Sequence, residues 1–123
     1  MTMYYLDTES PGINPKEDKI ITIQYQRLDK RGRPDGELII LREWESSEED
    51  IVKKFHEIFM EDNVWSFIPV LHNFIFDLTF IFEKFKKYKL KCPELSEYLY
   101  KKPFIDIKYS LVLMNDFEFK GSG

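Results

Sequence analysis

Asp7 and Glu9 stand two residues apart at the end of an apolar run, Met3-Tyr4-Tyr5-Leu6. In an extended strand, residues i and i+2 project from one face, so this spacing sets two carboxylates side by side. Such a pair repels itself and is costly unless a cation lies between the groups. Hard anionic oxygen donors of this kind suit Mg2+ or Mn2+. An Asp-x-Glu pattern also arises by chance at solvated strand ends, so alone it leaves both readings open. A third carboxylate, Asp77, closes the segment His72-Asn73-Phe74-Ile75-Phe76-Asp77, which follows a short apolar strand and opens a helix. There the helix macrodipole favours the ionised form. The position equally suits an ordinary helix N-cap.

Other chemistry-bearing residues have plainer alternatives. His72, a lone histidine beside a buried strand, is read as a hydrogen-bonded structural residue. Lys84, Lys86, Lys87, Lys89 and Lys91 form a basic stretch that could contact phosphates or be a solvated helix face with Lys84, Lys86 and Lys87 outermost. Trp44, Trp65, Phe80 and Tyr100 could stack on bases, although core packing is the default for aromatics. Cys92 has no base or partner near it in sequence and is read as inert.

Positioning these groups falls to elements that the sequence marks clearly. Residues 3–8 read as a first strand, and Pro11, Gly12, Asn14 and Pro15 as a turn. Residues 19–28 alternate and are rich in β-branched and aromatic side chains, and residues 37–44 form a third strand. The short joining loops leave no room for helical crossovers, so the three strands form an antiparallel meander. Ser46 and Glu49 have capping-box spacing ahead of Ile51, Phe55, Ile58 and Phe59, which recur at helical period. Residues 66–72 read as a buried strand, parallel to the first. Leu78, Ile81, Phe82 and Phe85 then form a second helical stripe. A short helix from Pro93 and Glu94 to about Tyr100, a strand at 104–106 and a helix from Ile107 to Met114 complete the order.

The order β-β-β-α-β-α-β-α, and the two motifs, closely resemble the DEDD-type 3′–5′ exonucleases of the ribonuclease H-like superfamily. Leu6-Asp7-Thr8-Glu9-Ser10-Pro11-Gly12 looks like the family's Leu-Asp-Thr-Glu-Thr-Thr-Gly, and Asp18 to Ile23 resembles the segment after it. His72 to Asp77 looks like His-Asn-x-x-Phe-Asp, with Leu71 where the family has a small residue. Phe104-Ile105-Asp106 resembles the next strand, whose Asp is not a metal ligand. The resemblance implies an α/β fold of the ribonuclease H-like kind, a mixed sheet with helices on its faces. It implies two divalent cations, Mg2+ or Mn2+. Asp7 would bridge both, Glu9 would bind the more tightly held one, and Asp77 would hold the second. Thr8, Ser10 and Asn73 would lie along the terminal nucleotide, and Phe76 would be core. The implied partner is the 3′ end of single-stranded DNA or RNA.

The family also carries a fourth acidic residue on a late helix, four residues after a Tyr or five after a His. Here Tyr109 is followed four on by Leu113, and Tyr98 by Lys102. His56 reaches Glu61 five on, but in the helix before the second motif. Asp116 and Glu118 come too soon after the last strand. The chain is therefore expected to be one domain over residues 1–123, truncated before that helix and weakly active at most. Gly121-Ser122-Gly123 agrees with such an end. The alternative is an inactive nucleic-acid-binding or protein-interaction module on the same fold, and an unrelated small α/β domain is a third reading.

Composition bounds these readings. Hydrophobic residues make up 43% of 123, with 16% aromatic and eleven Phe, enough for a core and against disorder. A net charge of −4, from 22 acidic and 18 basic side chains, excludes a histone-like polyanion binder. One cysteine excludes an intrachain disulfide framework and points to a reducing, cytoplasmic compartment. No apolar run is long enough to span a bilayer, and Met1 to Asp7 is not a signal peptide.

Overall fold

The structure is a computed structural model and describes residues 1–107 other than 62 and 64. Its elements are β1 (Met3–Glu9), β2 (Thr22–Leu28), β3 (Ile39–Arg42), α1 (Glu48–Phe59), β4 (Ile68–Leu71), α2 (Phe74–Lys87), α3 (Leu95–Lys101) and β5 (Ile105–Asp106). The five strands make one mixed sheet in the order β3-β2-β1-β4-β5. β1 pairs antiparallel with β2, which pairs antiparallel with β3, as the short loops require. On its other side β1 pairs parallel with β4, and β4 with β5. The helical segment between β3 and β4 supplies the crossover that a parallel pair needs. The expected helix at 107–114 lies beyond the described residues from position 108 on.

The strand period decides which side chains meet the helices. Leu6, Ile23, Tyr25 and Leu71 are buried against Phe55, Phe59, Phe85 and Leu78. Tyr4 stacks on Phe67 with ring centroids 4.4 Å apart, and Phe55 meets Phe67 edge to face at 5.7 Å. Pairs like these add about 0.5–1.5 kcal/mol each beyond area burial. The intervening residues Met3, Tyr5 and Asp7 of β1 point to the opposite face. On that face Met3, Tyr5, Leu28 and Val70 line an apolar groove of about 440 Å³.

Several expectations are corrected. The cap of α1 is Ser47, whose Oγ accepts from the Asp50 N–H at 3.0 Å. Ser46 is taken by a 3-10 turn at Glu43–Glu45, to which its N–H is bonded. That turn also shortens β3. β2 starts at Thr22 because the Ile20 N–H goes to the Glu48 carboxylate, 2.7 Å away, and not to a strand neighbour. Lys84 does not lie on the outside of α2. It is 1% exposed, with its Nζ 3.7 Å from Glu48. Phe80 is core, whereas Trp44, Trp65 and Tyr100 are exposed. Among the described residues no helix is long and apolar enough to cross a membrane.

Candidate active site

The carboxyl ends of β1 and β4 lie side by side at the centre of the sheet. In open α/β sheets the crevice beyond such strand ends is the usual place for a ligand. Asp7 and Glu9 stand at the end of β1. β4 ends at Leu71, and two residues later α2 begins, which carries Asp77 in its first turns. The helix starts at Phe74 with Asn73 as its N-cap residue. Asn73 gives its carbonyl to the Asp77 N–H at 3.1 Å and makes no side-chain cap bond. Asp77 is thus inside the helix and not its cap.

Asp77 is 5% exposed and accepts a hydrogen bond from the Thr8 hydroxyl at 2.7 Å. Burial pushes its carboxyl up to about 6; the Thr8 bond opposes this, and the nearby Asp7 charge adds to it. Desolvation and Asp7 therefore outweigh the helix dipole, which had been expected to hold Asp77 ionised. Asp7 is also raised, first by burial. The Thr8 backbone N–H lowers it, Glu9 raises it and the neighbouring His72 lowers it. Tyr5, two residues before Asp7 on the same face, is raised by burial and then by Asp7 and Asp77. Asp7 is thus the electrostatic centre, coupled to Glu9 along the strand and to Asp77 across the gap.

Glu9 is held differently. Its Oε1 accepts from Gln24 Nε2 at 2.5 Å and from Thr22 Oγ1 at 3.1 Å. These are the residues that β2 sets opposite Asp7 and Glu9. The Ser10 hydroxyl donates to the Gly12 carbonyl at 2.6 Å and so belongs to the turn. That turn needs glycine, because a Cβ at Gly12 would lie 2.2 Å from the Asp18 carboxylate. Asn73 is exposed at the mouth of the site. The motifs located Asp7, Glu9 and Asp77, but not the supporting side chains of Tyr5, Thr8, Thr22 and Gln24. Tyr5 was legible from its i−2 spacing to Asp7. The bond from the Thr8 hydroxyl to Asp77 has no signal in the local sequence. Thr22 and Gln24 become visible only once the strand register is known.

The sequence profile described as the RNase_H superfamily matches residues 4–120. The chain belongs to the RNase H superfamily. No curated protein matches it. Among solved structures it is similar to Escherichia coli exonuclease I in complex with a dT13 oligonucleotide, at 14% identity and a TM-score of 0.76 over 98% of this chain and 31% of that one. It is likewise similar to an ExoI/SSB-Ct complex, at 14% identity and a TM-score of 0.75, over 98% and 31% of the two chains. A product-bound structure of exonuclease I gives the same identity and TM-score, over 98% and 33%. The chain thus spans about a third of the length of these exonuclease I chains, and at this identity the likeness is one of fold. The expected ribonuclease H-like architecture and the family resemblance stand.

Exonucleases of the RNase H fold depend in general on divalent metal. Asp7 and Asp77 fit that requirement as a pair, being hard oxygen donors whose mutual repulsion a cation would relieve. Glu9 has its Oε1 bonded to Gln24 and Thr22, and its charge raises Asp7. Among the described residues no three His, Cys, Asp or Glu side chains gather tightly enough to hold a metal.

Proposed function

We propose that this chain is the catalytic domain of a metal-dependent DEDD-type 3′–5′ exonuclease, which removes nucleotides from the 3′ end of single-stranded DNA or RNA in a reducing, cytoplasmic compartment. The observation that carries this reading is the opposition of Asp7 and Asp77 across two adjacent parallel strand ends, where burial raises both carboxyls and the Asp7 charge raises Asp77 further. A site that favours protons by like-charge repulsion also favours a divalent cation. Exonuclease I structures that contain a dT13 oligonucleotide support a single-stranded substrate.

In this reading Asp7, Glu9 and Asp77 would hold two Mg2+ or Mn2+ ions, Asp7 contributing to both, Glu9 to the first and Asp77 to the second. When bound, the pair supplies an activated water and stabilises the leaving 3′ oxygen. Thr8 orients Asp77 through its hydroxyl, and Ser10 and Asn73 flank the terminal nucleotide. Through Oε1, Glu9 is already bonded to Thr22 and Gln24 of β2. That observation favours a second reading, an inactive nucleic-acid-binding or protein-interaction module.

Single-stranded oligonucleotides labelled at the 5′ end separate the two. These 123 residues show three of four family carboxylates, so with Mn2+ they should shorten the strand from its 3′ end slowly, and Asp7→Asn should abolish the ladder. Binding without any Mn2+-dependent shortening would favour the inactive module. Rapid degradation would refute the expected weakness.

A further inference from the structure

Three of the chain's four arginines fall within seven residues, Arg27-Leu28-Asp29-Lys30-Arg31-Gly32-Arg33. The segment leaves β2 and turns back toward β3 at the end of the sheet away from Asp7 and Glu9. Its backbone is fixed. The Asp29 carboxylate accepts from the N–H groups of Arg31 at 2.8 Å and Arg33 at 3.0 Å, and the Gly32 N–H donates to the Asp29 carbonyl at 3.0 Å. Gly32 takes a φ of 79°, which lets the loop fold back on itself. Leu28 bridges to Pro34.

Asp29 and Asp35 of this loop are engaged, and of its four cations only Arg27 is. Asp29 is turned to the backbone beneath the tip, and Asp35 pairs with Arg27, whose guanidinium also donates to the Asp35 carbonyl at 2.9 Å. Lys30, Arg31 and Arg33 are exposed, and among the described residues none of the three forms an ion pair within 4.0 Å. By contrast, the lysine stretch of α2 is largely occupied: Lys84 and Lys87 pair with Glu48, and Lys86 with Glu94. A preformed loop that presents two free guanidinium forks and an ammonium suits phosphate oxygens, which arginine binds in a planar, bidentate way.

We propose that this loop is a phosphate-backbone contact for the single-stranded nucleic acid whose 3′ end enters the carboxylate site. The inference rests on the nucleic-acid reading of that site. Asp7 lies four strand steps from Met3, which is opposite Leu28, about 13 Å at roughly 3.3 Å per residue. The loop therefore touches the strand upstream of the scissile phosphate. It makes the chain favour long strands over short ones despite its net charge of −4.

Fluorescence anisotropy in EDTA tests this apart from hydrolysis, with labelled oligothymidylates of sixteen and three nucleotides. Arg31→Ala/Arg33→Ala keeps the backbone bonds to Asp29, so the fold is preserved. The variant should bind the 16-mer on the order of tenfold more weakly at 0.1 M salt. The slope of log affinity against log salt should fall by about 1.4, at roughly 0.7 for each lost single-strand phosphate contact. Binding of the 3-mer should not change. Lys30→Ala alone should lower the slope by about 0.7, and the control Lys53→Ala/Lys54→Ala, whose lysines are already paired on α1, should leave it unchanged. Equal losses for both lengths, or an unchanged slope, would overturn the proposal while leaving the carboxylate site standing. Failure of the unaltered chain to bind either oligonucleotide would overturn both.

Discussion

At the scale of single residues, the carboxyl of Asp77 shows how a site set up for a cation opposes the stability of its own fold. Its folded pKa of about 6 lies above the ordinary value of 3.8, burial being the main cause. The folded chain therefore holds this proton more tightly than the unfolded chain does. Stability consequently falls as pH rises from about 3.8 to about 6, and the cost stays in full above that range. Two pH units correspond to roughly 3 kcal/mol, or on the order of 2 kcal/mol once partial hydration is allowed for. Asp77→Asn keeps an oxygen acceptor for Thr8 and removes the charge. Urea denaturation should find this variant more stable than the parent at pH 7.5, with the advantage gone by pH 4, while Mn2+ binding is strongly reduced. An advantage independent of pH would show that Asp77 is not a strained carboxylate. The motifs made Asp77 legible as a candidate, but not its protonation. That depends first on burial, and then on the Thr8 hydroxyl and on Asp7, which the fold brings from 69 and 70 positions away. Burial pushes the Cys92 thiol up to about 11, which agrees with its reading as inert.

At the scale of elements, Glu48 ties together α1, α2 and the approach to β2. Its carboxylate accepts from the Ile20 N–H, from Lys87 Nζ at 3.1 Å and from the Tyr88 hydroxyl, and it faces Lys84 Nζ at 3.7 Å. Burial alone would raise its pKa. The Tyr88, Ile20 and Lys87 bonds and the Lys84 charge win, and hold it below the usual value of 4.5. The stabilisation is therefore present above pH 4.5 and is lost as pH falls through the depressed folded value. Glu48→Ala leaves Lys84 buried and unpaired, and should cost about 3–5 kcal/mol at neutral pH, measurable by chemical denaturation. A loss under 1 kcal/mol would mean that Lys84 reaches water. Strand order and the two main helices were legible because alternation and helical spacing are local signals. Lys84 was misplaced because its burial depends on a partner 36 residues earlier in another helix. The cap of α1 slipped by one residue for a similar reason: the 3-10 turn before it claims Ser46.

At the scale of the whole molecule, an acidic chain on a nuclease fold separates its charge in space. Carboxylates gather at one end of β1 and β4, free cations project from the loop after β2 at the other end, and among the described residues seven other lysines form ion pairs. The bulk charge of −4 hides this arrangement, because composition averages over both ends. The central claim is that Asp7 and Asp77 form a divalent-cation site. Isothermal titration with Mn2+, followed by free-ion electron paramagnetic resonance, reads it directly on the 123-residue chain. Weak binding is expected, abolished by Asp7→Ala and strongly reduced by Asp77→Ala, with both variants folded by circular dichroism. Mn2+ binding that survives both substitutions, or none in the parent chain at millimolar metal, would contradict it.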